Sequence, residues 1–225
     1  ARRSSRANAN THAAMGMVLG RISEEMPLHT VVAKAATYEV RRYARSVVVE
    51  CRYGKGGWGD SADGSPFGAL ARYIGVFGQA QNLAQAGSEK IAMTAPVLVT
   101  APEPIAMTAP VLVTASVPSE HTMAFVLPAS KYKSIAEAPK PTDPRVSLRE
   151  LPERLQAVRT FSWNFRREAA LSNLEALLAD LDTDGWIVQR GPGGEPLWQA
   201  AGYNPPFALP FMKRNEVMVN VEEKK

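Results

Sequence analysis

The sequence predicts an α+β fold in which two helices pack against an antiparallel sheet. Two observations support this prediction. Segments rich in β-branched and aromatic residues precede and follow each helical segment, and the order strands–helix–strands occurs twice. The 225 residues are enough to bury a sizeable core. We therefore expect one compact domain with two related halves at residues 15–225, preceded by a loosely attached tail at residues 1–14.

Two strands and one helix are predicted for the start of the first half. Residues 37–43 and 46–51 have the composition of strands, and a glycine-rich loop follows them. Residues 66–83 have the apolar periodicity of a helix, at least in their first half. Gly75 and Gly78 lower the helix propensity of the second half.

The predicted first helix is apolar on two faces. One face carries Phe67, Leu70, Ile74 and Phe77, and the other carries Ala69, Tyr73, Val76 and Ala80. Only one face of a helix can lie on a sheet, and a large apolar surface is seldom left bare in a soluble monomer. The surplus face must therefore meet a ligand, a protein partner or a loop of the same chain.

An eleven-residue segment after this helix occurs twice. Residues 91–101 read IAMTAPVLVTA, and residues 105–115 repeat these letters. One duplication is too few for a repeat architecture, so we interpret it as a strand-forming segment copied once. We expect the first copy to follow the helix into the sheet. Pro96 and Pro110 each remove a backbone donor, which predicts a sheet edge or a bulge for these segments.

The second half repeats the order of the first. Strands are predicted at residues 122–127, 145–151, 156–162, 186–190, 197–202 and 216–221, with a proline-rich loop at 128–144. The second helix is predicted at residues 167–181. Its apolar residues Leu171, Leu174, Leu178 and Leu181 form a single face. This helix therefore has the amphipathic pattern of a helix that covers a sheet.

Composition and charge disfavour several classes of function. The net charge of +4 comes from four arginines before Glu24, and from that residue onward 22 basic residues balance 22 acidic ones. This balance disfavours nucleic-acid binding. No segment has the uninterrupted apolar length of a membrane span. The single cysteine, Cys51, excludes an intrachain disulfide, and His12, His29 and His121 have no partner at metal-ligand spacing.

Several short segments together resemble one known family. They are MGMVLG at 15–20, YEVRRY at 38–43, YIGVFG at 73–78, the two IAMTAPV copies, MAFVLP at 123–128, PKPTDPRV at 139–146 and GYNPPFALPFMKRNEVMV at 202–219. In this order they resemble the SOUL/haem-binding protein family, with the plant, algal and bacterial branch as the best fit. The resemblance implies a distorted eight-stranded antiparallel β-barrel flanked by two helices, with pseudo-twofold related halves.

The resemblance also implies a function. Members of this family bind haem and other tetrapyrroles without established catalysis, in an apolar groove beside the first helix, and axial ligation by histidine is not general. We therefore expect a non-enzymatic carrier, buffer or sensor with an exchangeable tetrapyrrole ligand. The absence of a GxSxG motif or another nucleophile signature agrees with this expectation. The alternative is an interaction module that docks a partner protein on the first helix.

The residues near the first helix suit the chemistry of a porphyrin, a flat apolar disc with two carboxylates. We expect the apolar wall to come from Leu70, Tyr73, Ile74 and Phe77, with Met93 or Met107 as adaptable filler. Arg72 or Lys90 can meet a propionate. Burying roughly 300 Å² of apolar surface gives on the order of 7 kcal/mol before association costs, which fits micromolar, exchangeable binding.

The N-terminal residues indicate a compartment. Residues 1–14 are rich in Arg, Ser, Ala and Asn and lack acidic residues, as organellar transit peptides do. A plain flexible tail has the same composition. We expect a chloroplast protein, with a cytoplasmic location as the alternative.

Overall fold

The computed structural model confirms the predicted α+β class. It describes residues 22, 24–53, 65–85, 87–100, 121–204 and 208–223. The predicted tail at residues 1–14 and the second copy of the repeated segment lie outside these residues. Within the described residues, all strand pairs of the sheets are antiparallel.

The described chain contains twelve strands and two α-helices. The strands are β1 His29–Lys34, β2 Glu39–Tyr43, β3 Ser46–Tyr53, β4 Asn82–Leu83, β5 Val97–Thr100, β6 His121–Val126, β7 Lys140–Pro141, β8 Val146–Leu151, β9 Arg154–Phe161, β10 Ile187–Val188, β11 Trp198–Gly202 and β12 Asn215–Glu222. The helices are α1 Pro66–Ile74 and α2 Arg167–Thr183. Strand β1 and the small β4–β7 ladder were not predicted from the sequence.

The strand order shows that the two halves are related. Eight strands follow the order β2-β9-β12-β11-β5-β6-β3-β8. If β2, β3, β5 and β6 are matched with β8, β9, β11 and β12, this order reads the same from either end. The sheet therefore has the pseudo-twofold arrangement of two strands–helix–strands units, with β1 and β10 added to β2 and β12.

The large sheet curls into a half-barrel. In the described residues, β8 is paired with β3 alone and β1 with β2 alone, so no ladder joins the two ends of the sheet. The expected eight strands are present, and an open seam lies between the β2 end and the β8 end.

The first copy of the repeated segment enters the sheet, as predicted. Its residues Val97–Thr100 form β5, which pairs with β6 on one side and β11 on the other. The prediction of an edge or bulge for this copy was wrong, because β5 is an internal strand. Pro96 immediately precedes β5, where a missing backbone donor does not interrupt the ladder.

The two helices end differently from one another. Helix α1 ends at Ile74 because Gly75 adopts a left-handed conformation (φ 82°) and its N–H caps the carbonyls of Ala71 and Arg72. The predicted continuation to residue 83 was therefore wrong. Helix α2 is confirmed, and it extends two residues beyond its predicted end. Neither described helix is both long and apolar enough to span a membrane.

Alternating side chains divide the core into three clusters. Val47 and Val49 of β3 pack under α1, and Val217 and Val219 of β12 pack under α2. The residues between them, such as Val48 and Met218, lie on the concave face of the sheet. The concave face thus has its own core, separate from the layers that carry the helices.

A charged network is buried on the concave face. The carboxylate of Glu216, which is fully buried, accepts hydrogen bonds from Arg41 at 3.0 Å, Arg214 at 2.6 Å and the Tyr203 hydroxyl at 2.5 Å. Burial raises the pKa of Glu216, but the charges of Arg41 and Arg214 outweigh it, so that pKa lies below its usual value. Because Arg41 is on β2 and Glu216 on β12, the network joins the two halves.

Candidate functional site

Helix α1 buries residues of both of its apolar faces, whereas Phe67 in its first turn is 39% exposed. The Ser65 Oγ caps its N-terminus by accepting a hydrogen bond from the Gly68 N–H at 3.0 Å. The predicted wall residues Leu70, Tyr73 and Ile74 have exposed fractions of 0%, 1% and 2%. In this conformation these three side chains contact the core, so they cannot touch a ligand directly.

A loop of the same chain covers the surplus face of α1. The Tyr73 hydroxyl donates a hydrogen bond to the Pro139 carbonyl at 2.8 Å. Tyr132 and Ala138 of the same loop belong to the core cluster around α1. The β4–β7 ladder fixes this loop to the segment that follows the helix. Of the three possibilities for the surplus face, a loop of the same chain accounts for most of it.

Three apolar side chains remain exposed near the C-terminal end of α1. Their exposed fractions are 44% for Val76, 69% for Phe77 and 42% for Met93. The Ile91 N–H donates to the Ile74 carbonyl at 3.0 Å, which holds the segment carrying Met93 beside the last turn of the helix. We call Val76, Phe77 and Met93 the helix-end patch.

A buried asparagine organises the chain around this patch. The Asn82 Nδ2 donates to the carbonyls of Tyr73 and Glu89, each at 2.8 Å, and its Oδ1 accepts from the Glu89 N–H at 2.8 Å. This single amide ties α1 to the segment that leads to Lys90 and Met93. No sequence motif marks Asn82, which the sequence analysis placed inside the predicted helix at residues 66–83.

The two predicted cations occupy different surroundings. Lys90 is exposed, and it has no ion pair with another described residue. Arg72 is half-buried in the last turn of α1. The pKa of Asp143 is lowered chiefly by a hydrogen bond from Arg145, and the charge of Arg72 contributes further. Lys90 is therefore the more available of the two cations, while the predicted filler Met107 lies outside the described residues.

Neither described histidine belongs to the helix-end patch. His29 is exposed on β1, and its ring lies 5.1 Å from that of Tyr43. His121 pairs with Tyr53 at the end of β3 that precedes α1. Desolvation, followed by the charge of Arg167, lowers the pKa of His121. Among the described residues, no three His, Cys, Asp or Glu side chains are grouped to hold a metal ion.

A cavity of about 560 Å³ opens on the concave face of the sheet. It lies at the seam, between Arg42 of β2 and Arg149 of β8, and reaches inward to Arg154, Gln156 and Gln199. We call it the concave cavity. Sequence reasoning missed it, although Arg154 and Gln156 alternate with the buried Leu155 and Ala157 at the start of β9. Such alternation in a strand that a helix covers on one side indicates a polar space on the other.

A comparison with protein-family models decides the family. Residues 24–220 match the model described as SOUL heme-binding protein. The chain belongs to the SOUL heme-binding protein family. Its members are generally not enzymes, and the family suggests a haem-type ligand. The match begins after the N-terminal residues and includes both helices and both halves of the sheet.

Other comparisons give more distant likenesses. A hydrolase from Listeria innocua is 12% identical with a TM-score of 0.47, covering 85% of this chain and 94% of that one. The EcmrR C-terminal domain is 9% identical with a TM-score of 0.46, covering 88% of this chain and 99% of that one. These likenesses are too weak to support an argument about function. A search of the curated proteins found no match.

Proposed function

We propose that this SOUL-family protein binds haem or a related tetrapyrrole without catalysing its conversion, as an exchangeable carrier, buffer or sensor. The single observation that carries the proposal is the family match over residues 24–220. We place the ligand on the helix-end patch, where apolar side chains are exposed beside α1 and a cation lies close by in the chain.

The side chains of the helix-end patch are of chemical types that can contact a porphyrin. Phe77 and Val76 offer apolar surface for a flat ring, and Met93 offers an adaptable side chain. Lys90 or Arg72 can pair with a propionate. The buried Leu70, Tyr73 and Ile74 then serve as support behind the contact surface. A bound haem supplies an iron centre for storage or sensing, whereas this chain supplies the surface that holds it.

The proposal is tested by titrating the purified protein with haemin and following the Soret band. We expect micromolar binding, and we expect Phe77→Asp to weaken it about tenfold, because the charge faces the apolar ring. The matched control is Ile187→Asp, a similarly exposed apolar residue on β10 beside α2. The control should bind like the parent protein.

Two outcomes would count against this assignment. Absence of a Soret shift in the parent protein would remove the tetrapyrrole proposal, and the exposed patch would then fit the alternative of a docking surface for a partner protein. Equal loss of affinity in Phe77→Asp and Ile187→Asp would show that the added charge acts through stability and not through the patch.

A further inference from the structure

Two residues that line the concave cavity each carry a buried polar atom without a hydrogen-bond partner among the described residues. These atoms are the Nε of Arg154 and the Oε1 of Gln156. The Gln156 side chain is almost fully buried, with an exposed fraction of 1%. A buried polar group without a partner costs free energy, so we expect these atoms to bind water or a ligand in the neighbouring cavity.

The orientation of the Gln156 amide is fixed by its neighbours. Its Nε2 donates to the Asn220 Oδ1 at 2.9 Å and to the Gln199 Oε1 at 3.2 Å. Gln199 in turn donates through its Nε2 to the Thr100 Oγ1 at 3.2 Å. This chain leaves the Gln156 Oε1 as an acceptor that can take a hydrogen bond from water or from a ligand.

The arginines of the cavity are not equivalent. Arg149 is paired with Glu50 at 2.8 Å, and Arg42 is paired with Glu153 and Glu223 at the rim. Arg154 has no carboxylate partner among the described residues. Its guanidinium lies 5.1 Å from the centre of the Tyr43 ring and makes only a 3.5 Å contact with the Pro152 carbonyl. One positive charge inside the cavity is therefore left unneutralised.

The surroundings of Arg154 strengthen this point. Desolvation lowers its pKa to about 10, which still leaves it charged near neutrality. Glu153 and Glu223 lie at the exposed end of the cavity, where Arg42 pairs with both of them. Leu151, Leu197 and Trp198 add apolar surface to the walls. A cation deep in a partly apolar space suits a ligand with one negative charge and an apolar body.

We propose that the concave cavity is a second ligand site, which binds a small organic monoanion that has an apolar body and one N–H or O–H donor. The anionic group pairs with Arg154, and the donor meets the Gln156 Oε1. The site lies across the sheet from α2, which packs on β9 and β12, and is independent of the tetrapyrrole proposal.

Two dyes of similar shape test this site. 8-Anilinonaphthalene-1-sulfonate has an anion, an aromatic body and an N–H donor, whereas N-phenyl-1-naphthylamine lacks only the sulfonate. We expect the parent protein to bind the anionic dye at least about tenfold more tightly by fluorescence titration, because a charge-assisted hydrogen bond is lost with the neutral dye. Equal affinities, or tighter binding of the neutral dye, would overturn the proposal.

The dye affinities of single-residue variants show where on the protein the dye binds. Arg154→Gln should weaken the anionic dye about tenfold and leave the neutral dye unchanged. The control Arg42→Gln removes a rim arginine that is already paired, and should change neither dye by more than about threefold. Phe77→Asp should also leave both affinities unchanged, since the helix-end patch is elsewhere.

The outcomes separate this proposal from the haem proposal. Unchanged binding of the anionic dye in folded Arg154→Gln, or its loss in Phe77→Asp, would place the dye outside the concave cavity and refute the proposal. If Arg154→Gln does not fold, the comparison of the two dyes in the parent protein still decides. Haemin affinity should be the same in Arg154→Gln and in the parent, so a failure here leaves the tetrapyrrole proposal untouched.

Discussion

The two halves of the molecule share their strand connections but differ in how their helices are covered. Helix α1 has nine residues and is buried on two faces, one by the sheet and one by the loop that contains Tyr132 and Pro139. Helix α2 has 17 residues and buries Ala170, Leu174, Leu177 and Leu181, while residues such as Ser172 remain exposed. Strand pairing therefore sets the common fold, whereas the covering of each helix decides where a ligand can reach it.

Because α1 is covered on two faces, we expect the shortening of a buried side chain on either face to lower the stability of the fold. Tyr73→Ala removes a buried ring and its hydrogen bond to Pro139, and should lower the free energy of unfolding by about 3–5 kcal/mol. On the exposed side of α2, Ser172→Ala should change it by less than about 0.5 kcal/mol. Urea denaturation measures both. A mild effect of Tyr73→Ala would show that the loop is not a true part of the core.

Removal of the Glu216 charge tests how much the buried charged network contributes to the stability of the fold. Glu216→Gln leaves Arg214 without its carboxylate partner and leaves Arg41 with Glu39 alone, and should lower the free energy of unfolding by on the order of 3 kcal/mol at pH 7. Because the pKa of Glu216 is lowered in the folded state, its contribution is present above the unfolded pKa of about 4.5 and is lost as the pH falls through the lower folded pKa.

The pH dependence of the unfolding free energy shows whether the Glu216 charge causes the effect of this variant. The parent protein should lose more stability than Glu216→Gln as the pH is lowered below about 4.5. Denaturation curves at several pH values would show this as converging stabilities. If the difference in unfolding free energy between the two proteins stayed constant down to pH 2, the carboxylate charge would not be the cause of that difference.

Deleting residues 91–104 tests the role of the duplication in the first half. The remaining copy supplies the same letters for β5, and the connection from β5 to Thr122 shortens from 21 residues to seven. Since loop closure depends weakly on length, the stability should change by about 1 kcal/mol or less. Circular dichroism and thermal unfolding measure this. An unfolded variant would show that the two copies have distinct structural roles.

The smallest effect is expected for the histidines. His29→Ala combined with His121→Ala should leave haemin affinity within about threefold of the parent, because neither histidine lies in the helix-end patch and iron ligation is not needed for apolar binding. A folded double variant that lost both the Soret shift and the affinity would show that iron ligation holds the ligand, and would move the site away from Phe77.

Much of the fold could be predicted because its determinants are local. The runs of β-branched residues in β3 and β12 each specify a strand, and the apolar stripe of α2 specifies a helix and its buried face. Strand β1 was missed because its residues are mostly exposed and show no alternation of buried and exposed positions. The end of α1 depended on whether Gly75 would adopt a positive φ, which the tertiary contacts of Ala80 and Gln81 help to decide.

The site could be predicted less well than the fold. Periodicity identified two apolar faces on α1, but it carried no information about which segment would cover the second one. The covering loop comes from residues far along the chain, and Tyr73 reaches it through a contact 66 residues away. The concave cavity likewise depends on side chains from β8, β9, β11 and β12 meeting at one place.

The palindromic strand order has a consequence for how this chain can fold. Strand β2 belongs to the first half but pairs with β9 of the second, and β8 of the second half pairs with β3 of the first. Each half thus has a strand, β2 or β8, that pairs with a strand of the other half. Neither half can complete its own sheet, so we expect the chain to gain its structure in one cooperative event with a high contact order, and to fold slowly for its size.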